Sequence, residues 1–279
     1  MGAMALQLSE QFARQLGELR FEPTQKRVRA IAGDETVADS RRAVLVWEPK
    51  RVVASYAVPE EDLLATVVPA DRAAAAEHPV PLGKDSPQVL DPRTAFAAHT
   101  CDGDPVSLRT NALFLDAAGF RPADPDLAGH VVLDFGAFDQ WLEEDEPIVG
   151  HPRDPFSRID VRRSSSRVRI QLDGVPLAES TSALLLFETH ITPRFYLPRA
   201  DVRMDLLSPS DTTSVCAYKG LATYFSADTG GRSHPDVAWT YARPLAGLTE
   251  IADHVCFFDE RVDVVLDGAP RPRPVTPWS

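Results

Sequence analysis

Short runs in which apolar side chains alternate with polar ones, each closed by a turn, dominate the chain: RVRIQL from Arg167, ALLLFET from Ala183, PRFYLP from Pro193, ATYFSA from Ala222 and HVCFFDERVDVVLDG from His254. Alternation with a period of two puts every second side chain on one face of a strand, and Val, Phe and Tyr suit that half-buried surface. These runs therefore predict strands, with Asp173 and Gly174 forming a hairpin turn. Helical spacing is confined to short pieces. QLSEQFARQLGELR from Gln7 predicts an amphipathic N-terminal helix, residues 199–207 and 245–252 predict short helices opened near a proline, and FGAFDQWLEEDE from Phe135 predicts another. The pattern is that of a mainly β chain with short accessory helices.

The pattern also repeats. KRVRAIAGDETVADSRRAVLVWE from Lys26 aligns without a gap with SRVRIQLDGVPLAESTSALLLFE from Ser166. Arg27 faces Arg167, Ala38 faces Ala178, and both runs end on an aromatic, Trp47 or Phe187, followed by Glu48 or Glu188. PEEDL from Pro59 then matches PRADV from Pro198, and His130 answers to His254 further on. HTCDG near Cys101 answers to VCAYKG near Cys216. Agreement of turns, apolar positions and polar exceptions over so long a stretch implies a duplicated domain. The expected organisation is an N-terminal helix and arm over 1–25, a diverged first copy over 26–162, a second copy over 163–268, and a proline-rich tail over 269–279 with Trp278 packing back. Residues 71–92, rich in Pro, Gly and Ala, read as a connection inside the first copy.

With 279 residues and 44% hydrophobic composition the chain can bury a sizeable core. Its 41 acidic and 29 basic side chains leave a formal charge of -12. That balance disfavours nucleic acid as a partner, because phosphate-backbone affinity comes from clustered cations. No secretory leader is evident at the start, and no run approaches the ~18 apolar residues of a membrane span. Cys101, Cys216 and Cys256 form neither an even disulfide framework nor paired CxxC metal knuckles, so a reducing cytoplasm is the expected location, with no metal and no cofactor.

Candidate chemistry concentrates in CAYKGLATYFSADTGGRSHPDVAWTYARPL, from Cys216 to Leu245. Lys219 offers a flexible cation for a phosphate or carboxylate, and Gly220 would let a ligand approach the backbone. Tyr218, Tyr224, Trp239 and Tyr241 offer faces for a planar ligand, although aromatics at alternating strand positions are more often packing groups. His234 and Asp236 sit in a glycine- and proline-rich loop where the histidine can serve as acid or base, or simply as a turn partner. Cys216 is a nucleophile only if Lys219 or His190 favours its thiolate; otherwise it is a small buried side chain. Glu188 ends an apolar strand and needs a partner, with Arg167, Arg194 and Lys219 as the candidates; its recurrence as Glu48 points to structure. The first copy has nothing resembling YKG or HPDVAW, so the chemistry is expected in the second.

LAEST, LLLFET, PRFYLPRADV, CAYKGLATYFS, HPDVAWTYARPL and HVCFFDERVDVVLDG together resemble the domain-of-unknown-function 427 family, and the whole chain resembles its tandem, two-domain form. The resemblance implies a compact antiparallel β domain similar to the β-tent (Mss4-like) folds, and it carries a nucleotidyltransferase label. The residues do not supply the pattern that label calls for: there is no Gly-rich loop ending in Lys-Ser or Lys-Thr, and the Asp124-Pro125-Asp126 pair lies in a proline-rich turn. β-tent relatives can carry cysteine-ligated zinc, but three dispersed cysteines do not provide such a site. Three readings of function remain. The leading one is a binding protein for a small polar or aromatic molecule at the second copy or between the copies. A hydrolase or transferase on a nucleotide-like or other small substrate would need Lys219, Cys216, His234 or Asp236 to converge. A structural protein, with self-association possible, would use the motif as core.

Overall fold

The computed structural model describes residues 5–71, 75–84 and 86–279. Residues 1–4, and 72–74 and 85 of the expected connection, lie outside them. The chain divides into two compact units, one drawn from residues up to 80 and from 86–154, the other from 155–279 together with 81–84.

Both units are antiparallel and share one topology. In the first, a seven-stranded sheet runs in the spatial order Arg20–Pro23, Val44–Trp47, Ser55–Pro59, His130–Leu133, Phe114–Pro122, Gly103–Arg109 and Thr66–Pro69. In the second, the order is Ile159–Arg163, Leu184–Glu188, Ile191–Pro198, His254–Phe257, Ser233–Thr240, Gly220–Asp228 and Leu207–Cys216. Each unit adds a four-stranded sheet, Glu146–Ile148, Gln140–Glu143, Val28–Ala32 and Glu35–Ser40 in one, and Ala269–Pro270, Asp263–Leu266, Val168–Leu172 and Val175–Ser180 in the other. Position for position, the strands correspond. The first strand of each large sheet lies upstream of the repeat visible in the sequence: Arg20–Pro23 pairs with Val44–Trp47, and Ile159–Arg163 with Leu184–Glu188.

Details of the ladders repeat as well. Val28–Ala32 and Val168–Leu172 bury every second residue, and each carries its bulge at the same step, after Ala30 and after Ile170. The serines of VADS and LAES are buried exceptions that act alike, since Ser40 donates to Asp62 Oδ2 at 2.7 Å and Ser180 to Asp201 Oδ2 at 2.6 Å. Each pins the single 3₁₀ turn that follows the third strand of the large sheet.

The inner faces of the sheets hold the main cores. Trp141, 1% exposed, stacks on Tyr56 and Phe135 in the first copy, while Phe195, Leu197, Phe225 and Phe257 fill the second. This arrangement corrects the helix expected over FGAFDQWLEEDE. Only Phe135–Ala137 is helical, as one 3₁₀ turn; Gln140–Glu143 and Glu146–Ile148 are strands, because Trp141 gains more by closing the inter-sheet core than helical spacing offers. The helices expected over 199–207 and 245–252 shrink to 3₁₀ turns at Arg199–Asp201, Met204–Leu206 and Thr249–Ile251. The N-terminal helix forms over Leu8–Gln15 and buries none of its own residues.

Candidate functional site

The second copy's large sheet has an outer face, and most of the predicted site lies on it. Leu184, Leu186, Tyr196, Trp239, Tyr241, Cys256 and Phe258 pack there as a second cluster, joined by the half-buried Tyr218, Tyr224 and Trp278. Strand alternation explains the grouping: neighbours such as Phe195 and Ala238 point to the inner core, so Tyr196 and Trp239 must point outward.

Glu188 ends its strand on this face and takes Lys219 as its partner, with the ammonium donating to Oε2. The two side chains are 9% and 12% exposed, Lys219 first. Burial alone would lower the Lys219 ammonium, but Glu188 and the adjoining Cys216 outweigh it and hold the group above its ordinary value. Lys219 is therefore a fixed cation and not a neutral amine nucleophile. The other two candidate partners are engaged elsewhere: Arg167 and Arg169 grip Glu179, and Arg194 binds Glu260 through two hydrogen bonds of 2.7 and 2.8 Å.

Gly220 has φ +96°, the backbone that its turn requires, yet its open side is met by Leu245, whose Cγ lies 3.4 Å from where a Cβ would stand. Tyr224 shares a hydrogen bond of 2.7 Å with Ser214 and stacks towards Phe258. Trp239 is buried, donates from Nε1 to the Tyr196 hydroxyl at 3.2 Å and leans on Phe258. Burial pushes the Tyr196, Tyr241 and Cys256 groups upward, so all three stay protonated at neutral pH.

His234 and Asp236 are not part of this group. His234 Nε2 lies 2.9 Å from Asp173 in the hairpin turn of the smaller sheet and 2.8 Å from the Thr229 hydroxyl. Asp236, at φ +49°, occupies a bulge, where its amide donates to Ser226 and its Oδ2 accepts from Thr212 at 2.8 Å. Lys219, Cys216, Glu188 and Tyr218 are brought together; His234 and Asp236 serve a different end of the sheet.

Sequence reasoning missed two arrangements. One is the Arg194–Glu260 pair, side chains 5% and 0% exposed, which lies near Trp239, Phe258 and Trp278 and is bridged by the Thr276 hydroxyl donating to Glu260. The other is in the first copy, where Glu48 is buried and received by the His99 ring at 3.0 Å and the Thr100 amide at 2.7 Å, with the Cys101 thiol at 3.7 Å. Counted back without a gap from the equivalent strands, His99-Thr100-Cys101 stand at the positions of Tyr218-Lys219-Gly220, with a different side chain at each. The recurrence of Glu48 as Glu188 was the signal. Burial, then the Glu48 charge, pushes the Cys101 thiol up to about 12, which makes it inert at neutral pH.

The family model described as Domain of unknown function (DUF427) matches residues 20–78 and 160–268, more than half of the chain. The chain belongs to this family, in its tandem form. The second match covers the members of the outer-face cluster named above apart from Trp278, whereas the first stops before His99. No curated protein matches the chain. Among the described residues no group of three or more His, Cys, Asp or Glu side chains is placed to hold a metal ion, and no helix is long and apolar enough to cross a membrane.

Proposed function

We propose that the protein is a cytoplasmic small-molecule-binding protein, two β-tent-like domains in tandem, whose second copy takes a small polar or aromatic ligand at the Glu188–Lys219 pair. The observation that carries this reading is an ion pair about nine-tenths buried, set beside the half-buried Cys216 and Tyr218. A ligand carboxylate or phosphate can replace Glu188 at the ammonium, and Tyr218 and Tyr224 offer faces to the rest of the molecule. A sheet of seven strands with one of four in each copy supports the β-tent assignment. Three free cysteines support a reducing compartment. Catalysis is less well supported, since the one histidine of the motif is committed to Asp173 and Thr229.

A structural reading has an observation of its own: Glu48 takes up the same position in the first copy with different donors, as a latch between strand end and loop would. A thermal-shift and calorimetric panel of nucleotides, phosphates and carboxylates separates the two. A ligand at about 100 times its Kd adds about 2.7 kcal/mol to the stability of the state it binds. One compound should stabilise the parent, and the shift should vanish in Tyr218→Ala and in the charge-neutral Glu188→Gln/Lys219→Met double variant. If no compound shifts the parent, the latch is the better account.

A further inference from the structure

The duplication allows the same place to be compared in two domains. In the second copy, Arg194 and Phe258 stand close together on the outer face, and the chain that leaves the small sheet returns to cover them: Thr276 donates to Glu260, and the Trp278 ring lies 5.4 Å from the Arg194 guanidinium. A ring and a hydroxyl bound to a carboxylate thus fill this place from within. The register puts Ser55 of the first copy where the second has Arg194, since Ser55 pairs with Val46 as Arg194 pairs with Leu186. It puts Asp134 where the second has Phe258, their amides donating to the corresponding carbonyls of Ala118 at 2.9 Å and Val237 at 3.0 Å.

In the first copy this place is a cavity of about 140 Å³, bordered by Ser55, Asp134, Phe135, Leu90 and Phe96, with Gly150 and His151 of the chain that leaves the small sheet. The groups that receive the tail in the second copy are thus replaced, and the first copy lines the same place with two aromatic rings, Phe96 and Phe135, and the Asp134 carboxylate. Asp134 accepts from the Gly136 amide through Oδ1 and has no cationic partner at contact distance among the described residues. Arg51, also in the wall, spends its guanidinium on the carbonyls of Thr94, Ala95, Phe96 and Ala98, and the Asp91 carboxylate is gripped by Arg93 through two hydrogen bonds, so Asp134 is the wall carboxylate without a cation at contact distance. Two wall residues, Arg51 and Thr94, hold two of the five buried side-chain polar atoms without a hydrogen-bond partner among the described residues, so the protein leaves this region incompletely satisfied.

We propose that this cavity is a binding site for a small planar aromatic molecule that carries hydrogen-bond donors and no negative charge, its ring against Phe96 and Phe135 and its donor on Asp134. The volume admits one ring with a small substituent, and an anion placed there would meet the Asp134 carboxylate.

Benzamidine and benzoate, the same ring with opposite charge, test this by calorimetric titration of the full chain. Benzamidine should bind with one-to-one stoichiometry, and benzoate at least about tenfold more weakly. Asp134→Asn, which keeps the acceptor for Gly136 but removes the charge, should weaken benzamidine about tenfold. Ser55→Leu, which fills the cavity, should abolish binding while the melting transition is retained. The Glu188→Gln/Lys219→Met variant should leave benzamidine affinity unchanged, so failure here is distinct from failure of the second-copy site. Absence of benzamidine binding, equal affinity for benzoate, or affinity unchanged by Asp134→Asn overturns the proposal; the last comparison decides the matter even if Ser55→Leu does not fold.

Discussion

Burial pushes the Asp259 carboxyl up to about 6, against the pull of Arg194 and Arg271 and with help from neighbouring Glu260. Its unfolded value is about 3.9, so between those two values the folded chain binds more protons than the unfolded one. The sign follows: Asp259 favours folding at low pH, and that contribution is lost as pH rises through about 6. Asp259→Asn removes this dependence. In urea melts, the stability of the parent relative to the variant should fall by about 2–3 kcal/mol from pH 4 to pH 8; a constant difference would show that the carboxyl is not held in this way. At this scale the sequence reveals residue types better than partners. Lys219 was one of three candidates for Glu188, and only the fold separates it from Arg167, on the small sheet, and Arg194, drawn to Glu260. His234 and Asp236 lie close to the motif in the chain, but the bulge before Ala238 and the turn at Asp173 draw them away.

Strands were legible because alternation survives in them; the exceptions are elements whose pattern is set by what they pack on. Arg20–Pro23 and Ile159–Arg163 are short edge strands whose sequences share no residue pattern, yet both extend the same side of the large sheet. The stretch from Phe135 carries apolar residues at near-helical spacing because Phe135, Phe138 and Trp141 converge on one aromatic cluster, which two strands and a 3₁₀ turn also achieve. Close packing between strands sets a further test. A Cβ on Gly103 would stand 2.2 Å from the Arg121 carbonyl oxygen and 2.5 Å from the Phe120 ring, so the strand pair Gly103–Arg109 and Phe114–Pro122 has no room for a side chain there. The second copy carries Ala222 at the corresponding position, buried beneath its own outer-face cluster. Gly103→Ala should therefore lower stability by at least about 2 kcal/mol in denaturant titration, as overpacking against backbone does. An unchanged midpoint would mean that the two strands slide apart freely at this end.

Duplication was the most legible feature of the whole molecule, since turns, bulges and pinned serines occupy the same positions in both copies. What the sequence hid is how differently the copies finish the outer face: with Lys219 and the returning tail in one, with His99 and a cavity in the other. Both outcomes rest on one physical requirement, that a buried glutamate at the strand end be met by donors, and it can be met by a lysine or by an imidazole and an amide alike. Because every ladder of the second copy closes within residues 159–270, and its two apolar clusters draw only on residues between Ile159 and Trp278, the segment 155–279 contains a complete core of ordinary domain size. Expressed alone, it should give a dispersed amide spectrum and a single cooperative unfolding transition. Ending the same segment at Arg271 keeps the Ala269–Pro270 strand but removes Thr276 and Trp278 and uncovers the Arg194–Glu260 pair, leaving Glu260 one donor short. That shorter segment should unfold at a lower denaturant midpoint by about 2 kcal/mol in stability, the usual cost of a lost partner in a buried charged network. Equal midpoints would show that the tail only rests on the face, whereas loss of cooperativity in the longer segment would show that the second copy depends on chain outside it to fold.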